Sequence, residues 1–359
     1  MKTWDKYLLS LAAALVLCSM FTLLSASQHK QTATGKNFVA SQLVWVGAGA
    51  VIVAAIHHIG HPSILSFAYL IYGISLILLM AVLVGGSTAL GAQRWLKIGF
   101  ITIQPSEFAK LGTIVMLARV IADRPERVKT LRGFALPLLT AALPMLMIFK
   151  QPDLGTSLVF VPVVAAMLFV AGMRSRYFIG ALFIGLALLP VGWHLLHDYQ
   201  KDRVMVFVKP DRDPLGAGYT INQSKIAIGS GRLFGKGWNS GTQNQLDFLP
   251  ERHSDFIFSV IGEEWGFAGT SFVLTVFLLL LLRGLRIAET TQELSGRLLA
   301  VGVTTMVAAH VIMNIGMTIG LMPVVGIPLP LVSYGGSAMI SNMMAIGFLQ
   351  SVQARRILF

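Results

Sequence analysis

Charge and cysteine are what this chain has least of. Only 12% of its 359 residues are Asp, Glu, Lys or Arg, about half the roughly 25% of a soluble domain. By contrast 55% are hydrophobic, and the mean hydropathy is +0.72. This balance excludes an ordinary soluble fold and points to a membrane protein. The single cysteine, Cys18, excludes an intramolecular disulfide and any Cys-based metal site. It lies in an apolar run and reads as a small core residue. Acidic residues are scarcer than basic ones, 16 against 28, for a net charge of +12. In a soluble protein that excess would suggest nucleic acid. Here the cations fall between apolar runs, where they orient spans and meet anionic lipid, so no nucleic-acid partner is expected. Neither a soluble domain, a low-complexity tract nor a visible twofold repeat interrupts the chain, and residues 1–359 read as a single integral membrane domain.

What the chain has is apolar length. Runs of the about 17–25 residues needed to cross a bilayer fall near 7–25, 42–59, 63–85, 105–122, 133–149, 154–172, 177–196, 256–282, 298–321 and 333–351. The expectation is an all-α protein of ten transmembrane helices. Two runs are marginal: 42–59 ends in His57 and His58, and 105–122 contains Glu107 and Lys110. The positive-inside rule supports this count. With Lys2 and Lys6 in the cytoplasm, the inside connections hold Arg119, Arg124, Arg127, Lys129 and Arg132, then Arg174 and Arg176, then Arg283, Arg286 and Arg297, and last Arg355 and Arg356. The short outside connections hold only Lys30, Lys36, Arg94, Lys97 and Lys150. Both termini are therefore expected in the cytoplasm. The first run also has the form of a cleavable signal peptide, with two lysines, an apolar stretch and Ser25-Ala26-Ser27. Leu15-Val16-Leu17-Cys18 brushes against a lipoprotein box, in which Leu17 is too large for its position.

One long polar loop, about 197–255, precedes the eighth helix and faces outside on this reading. Its charges nearly cancel, and Gly216, Gly218, Gly229, Gly231, Gly235, Gly237 and Gly241 favour tight turns and close backbone approach to a ligand. Tyr219 to Ile228 has the pattern of a short amphipathic helix, with Ile221, Ile226 and Ile228 toward lipid and Gln223 and Lys225 toward water.

Polar residues at membrane depth carry the chemistry. Gln104-Pro105-Ser106-Glu107-Phe108-Ala109-Lys110 opens the fourth run, with Pro105 suited to a first helical turn and Glu107 and Lys110 on one face. These two are either a self-neutralising pair that binds helices together or the lining of a polar substrate cavity, which intramembrane ionisable groups favour. Arg94 and Trp95 belong at the outer interface. Asp153 is either the cap of the following helix or a partner for cations in that cavity. Pro323, Pro328 and Pro330, leading into Leu331-Val332-Ser333-Tyr334-Gly335-Gly336-Ser337, imply a broken helix buried in protein or lining a cavity. His57, His58 and His61, without a nearby carboxylate or Cys, read as a cytoplasmic-edge loop rather than a metal site.

The densest cluster is Glu251, Arg252, His253 and Asp255, just before Phe256, Ile257 and Phe258 re-enter apolar sequence. Asp255 is either a helix cap, with Ser254 as an equal candidate, or a catalytic carboxylate. Glu251 and Asp255 suggest a glycosidase pair, but the surrounding cations suit a phosphate-bearing partner. A sugar diphosphate leaving group needs charge stabilisation rather than a proton donor, so one carboxylate acting as base on an attacking hydroxyl suffices. An ordinary Asp titrates near 3.9, too low for that task. Desolvation by Phe256 to Phe258 would raise it and Arg252 would lower it, and the sequence leaves that balance open.

Gln104-Pro-Ser-Glu-Phe-Ala-Lys110, Gly218-Tyr219 with Gln223-Ser224, Phe248-Leu-Pro-Glu-Arg-His-Ser-Asp255-Phe-Ile-Phe258, Gly262-Glu-Glu264 and Pro328-Leu-Pro-Leu-Val-Ser-Tyr-Gly-Gly336 together resemble the SEDS family (shape, elongation, division and sporulation), across essentially the whole chain. The form Gly241-Thr-Gln-Asn-Gln-Leu-Asp-Phe-Leu-Pro-Glu-Arg-His253 resembles its elongation branch rather than its division branch. Ser254 stands where Thr is usual and keeps the hydroxyl. The resemblance implies a ten-helix glycosyltransferase with a retained first helix. Such an enzyme polymerises lipid II into glycan strands outside the bacterial plasma membrane during elongation and rod-shape maintenance. It implies partners as well: lipid II and the nascent strand, a class B penicillin-binding protein that cross-links the product, and other elongation-complex membrane proteins. The family's essential aspartate matches Asp255, and its embedded Glu and Lys match Glu107 and Lys110. The expected mechanism is inverting, with Asp255 as base. The expected substrate-binding set is Arg94, Gln104, Glu107, Lys110, Asp153, Arg203, Gln223, Arg252, His253 and Ser333, with a magnesium or manganese ion left open. Two rival functions are a lipid II flippase and a non-catalytic scaffold for the penicillin-binding protein.

Overall fold

The computed structural model describes residues 3–34, 37–89, 92–99, 101–128, 130, 133–195, 198–209, 213 and 216–356. The chain is mostly helical, and a helix lies over each apolar run. In order come α1 (Lys6–Thr34), α2 (Phe38–Ile59), the short α3 (His61–Ser66) and α4 (Ala68–Gly85). After strands β1 (Ser87–Ala89), β2 (Ala92–Ile98) and β3 (Ile101–Ile103) follow α5 (Pro105–Asp123), α6 (Pro125–Val128), α7 (Ala135–Lys150), α8 (Leu154–Val170) and α9 (Ser175–Leu195). The long 197–255 loop holds α10 (Asp198–Val208), α11 (Ala217–Ser230) and α12 (Thr242–Gln245), and α13 (Ile257–Thr290), α14 (Leu294–Thr318) and α15 (Gly336–Arg356) complete the chain. Among the described residues five helices are long and apolar enough to cross a membrane: the Lys6–Ser27 part of α1, then α2, α4, α13 and α14. Glu107, Lys110, Arg119 and Asp123 lower the hydropathy of α5, and α7 and α8 have only 16 and 17 residues.

α14 is the central helix. In its apolar stretch 67% of residues are buried, against 22% in α2 and α4, whose outward faces are left for lipid. It packs on α5, α8, α13 and α15. α2 instead runs along α15, where Gly49 meets Met343 and Gly347 meets Ile56, the small-against-large contact that lets helices approach closely in a bilayer.

Three features depart from the sequence reading. The 87–103 connection is an antiparallel meander in the order β1-β2-β3, a short exception in a mostly helical chain. Gly99, at a φ of +60°, makes the tight turn between β2 and β3. α11 covers the expected amphipathic segment, but Ile221 is fully buried and only Ile226 is exposed on its apolar side. Ser224 explains this: its hydroxyl bonds to Ser259 on α13 and donates to Thr318 O on α14, docking α11 on protein. Third, His61 does have a carboxylate neighbour, Glu293, at 3.3 Å, while His57 stacks on Trp4 at 3.9 Å. These contacts tie helix ends together, and the three histidines lie in α2 and α3, with only Gly60 between the helices, rather than in a loop.

α13 is broken at Gly266, whose φ of +64° and ψ of −157° are open to glycine but costly for other residues. Residues 232–237 fill the break. Phe267 N donates to Arg232 O, Ala268 N to Leu233 O, Lys236 N to Glu263 O and Gly237 N to Glu264 O, at 2.8–3.1 Å. The groups orphaned by the kink are thereby satisfied, and the 197–255 loop is strapped to the helix that follows Asp255.

Candidate functional site

Asp255 sits on a tight turn between the long 197–255 loop and α13. The turn is made by Glu251, at a φ of +49°, whose carbonyl accepts from the amides of Ser254, Asp255 and Phe256 at 3.1–3.3 Å. A left-handed non-glycine residue is a strained conformation that the surroundings must hold. Phe256 is the N-cap of α13 and no side chain caps it, so neither Asp255 nor Ser254 is a capping residue. Ser254 Oγ bonds back to the Glu251 carboxylate at 3.1 Å.

Three successive carbonyls pin this turn to the second broken segment. His253 O accepts from Tyr334 N at 2.9 Å, Ser254 O from Ser333 Oγ, and Asp255 O from Asn314 Nδ2 at 2.9 Å. Leu331, at a φ of +61°, and the prolines prevent a helix over 323–334, so its backbone groups turn to such partners. Gln42 donates to Ser333 O at 3.0 Å and accepts from Gly335 N at 3.3 Å, and Ser19 donates to Val332 O at 2.6 Å.

The Asp255 carboxylate itself is left available, since no described residue donates a hydrogen bond to it. Its charged neighbours come from four elements: Glu251 on its own turn, Arg203 on α10, Arg94 on β2 and Asp153 before α8. Burial pushes the carboxyl up from its ordinary 3.8 to about 6, helped by Glu251 and opposed by the Arg203 and Arg94 guanidiniums. Arg203 is anchored to Val324 O at 3.0 Å, and Arg94 to Pro152 O and, at 3.8 Å, to Asp153. Asp153 does both things expected of it as alternatives: it caps α8 through Thr156 N at 3.1 Å and Thr156 Oγ1 at 2.9 Å, and it pairs with a cation. Gly326, at a φ of +69°, forms the wall opposite. A Cβ there would lie 3.3 Å from Asp255 Oδ2 and within 4 Å of nothing else, so open space adjoins the carboxylate.

A second cluster is buried between α5 and α14. Lys110 Nζ lies 2.7 Å from Glu107 and 2.6 Å from His310 Nε2. His310 Nδ1 contacts Met306 O at 2.7 Å, so an Nδ1–H tautomer donates there and accepts from the ammonium at Nε2. Gln104 N donates to Ser337 Oγ at 3.0 Å, and Ser341 donates to Glu107 O at 3.1 Å, tying α5 to the start of α15.

Of the expected residues, then, Arg94, Asp153 and Arg203 gather around Asp255, and Glu107 and Lys110 form their own cluster. Four others stand differently. Arg252 is buried, donating to Ala26 O at 2.9 Å and pairing with Asp247, and it is not among the strongest charges acting on Asp255. His253 lies between Phe38 and Tyr334, at ring distances of 5.0 and 5.9 Å. Ser333 spends its hydroxyl inside the protein, donating to Ser254 O and accepting from Leu329 N at 2.8 Å, so it holds the turn rather than facing substrate. Gln223 is on α11, and its Oε1 is buried without a partner among the described residues.

Sequence reading missed Asn314, His310, Gln42 and the role of Glu263. Buried Glu263 accepts from Lys236 at 2.8 Å, Thr242 at 3.2 Å, and the amides of Gln243 and Asn244 at 3.0 and 3.3 Å, so it holds the start of α12. His310 and Asn314, four residues apart in an apolar helix, offered a signal: polar side chains on one face of a span need internal partners. Among the described residues no three His, Cys, Asp or Glu side chains converge on a metal position, and both oxygens of Asp153 are engaged by Thr156. A divalent ion here would therefore need the phosphate oxygens of a substrate beside one or two protein carboxylates, the usual magnesium arrangement.

A family model of cell cycle proteins, grouping FtsW, RodA and SpoVE, matches residues 4–357. Peptidoglycan glycosyltransferase MrdB of Escherichia coli K12 is 41% identical over 354 residues, 98% of this chain and 95% of that protein. Stage V sporulation protein E of Bacillus subtilis is 39% identical over 318 residues, 88% of this chain and 86% of that one. The crystal structure of the rod shape determining protein RodA of Thermus thermophilus superposes with a TM-score of 0.74 at 31% identity, covering 99% of this chain and 98% of that one. A chain of a peptidoglycan synthase complex, whose structure concerns coordination of polymerisation and crosslinking, gives 0.86 at 34% identity over 99% of each. This multi-pass membrane protein belongs to the SEDS family of FtsW, RodA and SpoVE.

Proposed function

We propose that this chain is a peptidoglycan glycosyltransferase of the elongation branch that polymerises lipid II at the outer face of the bacterial plasma membrane, with Asp255 as general base. The observation that carries this reading is the Asp255 carboxylate, unbonded, bordered by open space and flanked by two anchored guanidiniums. A base titrating near 6 is mostly ionised at pH 7 yet basic enough to accept a proton in the transition state. Asp255 takes the proton from the 4-hydroxyl of the acceptor sugar. The freed oxygen attacks the anomeric carbon of the donor with inversion, and the bond to the lipid diphosphate breaks. Arg94 and Arg203 hold the departing diphosphate, where fixed cations in a water-poor site are worth most. Asp153 orients Arg94. Glu107, Lys110 and His310 set the deeper polar floor. Magnesium or manganese would have to arrive with the diphosphate, and no step here depends on it.

Ten spans, both termini in the cytoplasm and the 197–255 loop outside make the topology consistent with this chemistry, because they put Asp255 on the outer side. A class B penicillin-binding protein is the proposed partner that cross-links the strands. The test is strand formation from purified lipid II in detergent, with that partner made transferase-silent and wild type run beside Asp255→Asn. Strands from wild type, with a loss of 10²–10⁴-fold in the variant, are expected. Equal product from both would remove Asp255 as base. Product from neither would favour a flippase or scaffold.

A further inference from the structure

We infer that Asn314 is a positioning residue for this site: its carboxamide clamps the base-bearing turn to the cavity wall and thereby fixes the surroundings in which Asp255 reacts. The inference rests on the reading of Asp255 as base. Asn314 is fully buried in α14, the helix most enclosed by protein. Its Nδ2 gives one hydrogen to Asp255 O at 2.9 Å and the other to Ile327 O at 2.7 Å. Ile327 follows Gly326, the residue that walls the space beside the Asp255 carboxylate. One amide group therefore sets the spacing between base and wall. It does so from a rigid helix, while both of its targets lie in non-helical backbone.

The other two pins on the turn differ in kind. Tyr334 N is backbone, and Ser333 comes from the same broken segment that it holds. Among the described residues only Asn314 ties both turn and wall at once to an independent element. Two buried carbonyls would lose their donor together with its removal, a desolvation cost of about 1–3 kcal/mol each that the segment can relieve by opening to water. Water would then reach Asp255. Of the charged groups facing it, Glu251 moves with the turn and Arg203 stays tied to the wall at Val324 O, while Arg94 and Asp153 keep anchors outside both segments, so no charge is added or removed. The change expected is therefore a loss of desolvation, which moves the carboxyl back toward its ordinary range.

Two variants test this. Asn314→Leu keeps the volume without donors, and Asn314→Ala leaves room for water to replace them. Each is compared with wild type by infrared pH titration of the Asp255 carboxyl in detergent, assigned by subtraction of Asp255→Asn, and by kcat and KM on lipid II. The titration needs only folded protein and no polymerase activity, so the clamp and the catalytic reading fail separately. In Asn314→Leu the titration midpoint is expected to fall by at least one pH unit, with kcat down about tenfold or more and KM changed less than about threefold. Asn314→Ala is expected to lie between Asn314→Leu and wild type, and it carries the test alone should Asn314→Leu fail to fold. An unchanged midpoint with kcat within twofold of wild type, in whichever variant folds, would overturn the proposal.

Discussion

At Asp255 two opposing effects meet. Burial and the Glu251 carboxylate disfavour its charge, while Arg203 and Arg94 favour it, and burial wins. The residues for both sides were legible in the sequence, but their balance was not. Arg252, adjacent in sequence and the obvious lowering charge, is turned toward Ala26 and Asp247. Arg94 and Arg203, far away in sequence, supply the cations instead. A folded-state carboxyl raised from 3.8 to about 6 favours the fold below the unfolded value, and that contribution is lost as pH rises through 6. At pH 7.5 the ionised carboxylate is thus a net cost. Asp255→Asn is expected to stabilise the fold in detergent at pH 7.5 by up to about 3 kcal/mol, read as a higher thermal midpoint, and to leave the midpoint unchanged near pH 4. A lower midpoint at pH 7.5 would show that the carboxylate contributes to the fold.

Among the elements, the helices were legible because apolar length and helix caps are local signals, and Asp153 capping α8 is the clearest case. The β-meander was not, since its strands of three, seven and three residues are too short to show a period. Yet β2 is what presents Arg94. The strap at 232–237 was half legible, as glycines without a visible target. Its target is the break in α13. A Cβ on Gly235 would sit 2.1 Å from Glu264 O, and the residue has a φ of +80°. Gly237 shares the left-handed backbone, at a φ of +101°, but its Cβ would meet only Ser240 at 3.8 Å. Gly235→Ala should therefore cost more than about 2 kcal/mol of stability and Gly237→Ala only about 1 kcal/mol, read as thermal midpoints in detergent. Equal losses would mean that strain alone matters at both.

For the whole molecule, the distribution of charge predicts sidedness. Composition gave the class, and the basic connections gave an orientation that the packing of helices cannot supply. With Cys18 replaced by serine, a cysteine at exposed Thr130 should react with an impermeant maleimide only in inverted vesicles. One at exposed Leu246 should react only in right-side-out cells freed of their wall. The opposite pattern would place Asp255 on the wrong side for a lipid II polymerase. The molecule also unites regions that the sequence kept apart: residues 94, 153, 203, 255 and 326 come from four connections around α14. That convergence was invisible in one dimension, because each residue alone has an ordinary explanation at a helix end.

The most direct measurement is the pH dependence of kcat/KM for strand polymerisation from lipid II, in wild type and in Glu251→Gln. The account predicts an acid limb with a midpoint near 6, a tenfold fall per pH unit below it, and a move of that midpoint to lower pH when the neighbouring carboxylate is neutralised. A flat profile between pH 5 and 8, in about the range where His and the raised carboxyl titrate, would contradict Asp255 as the catalytic base.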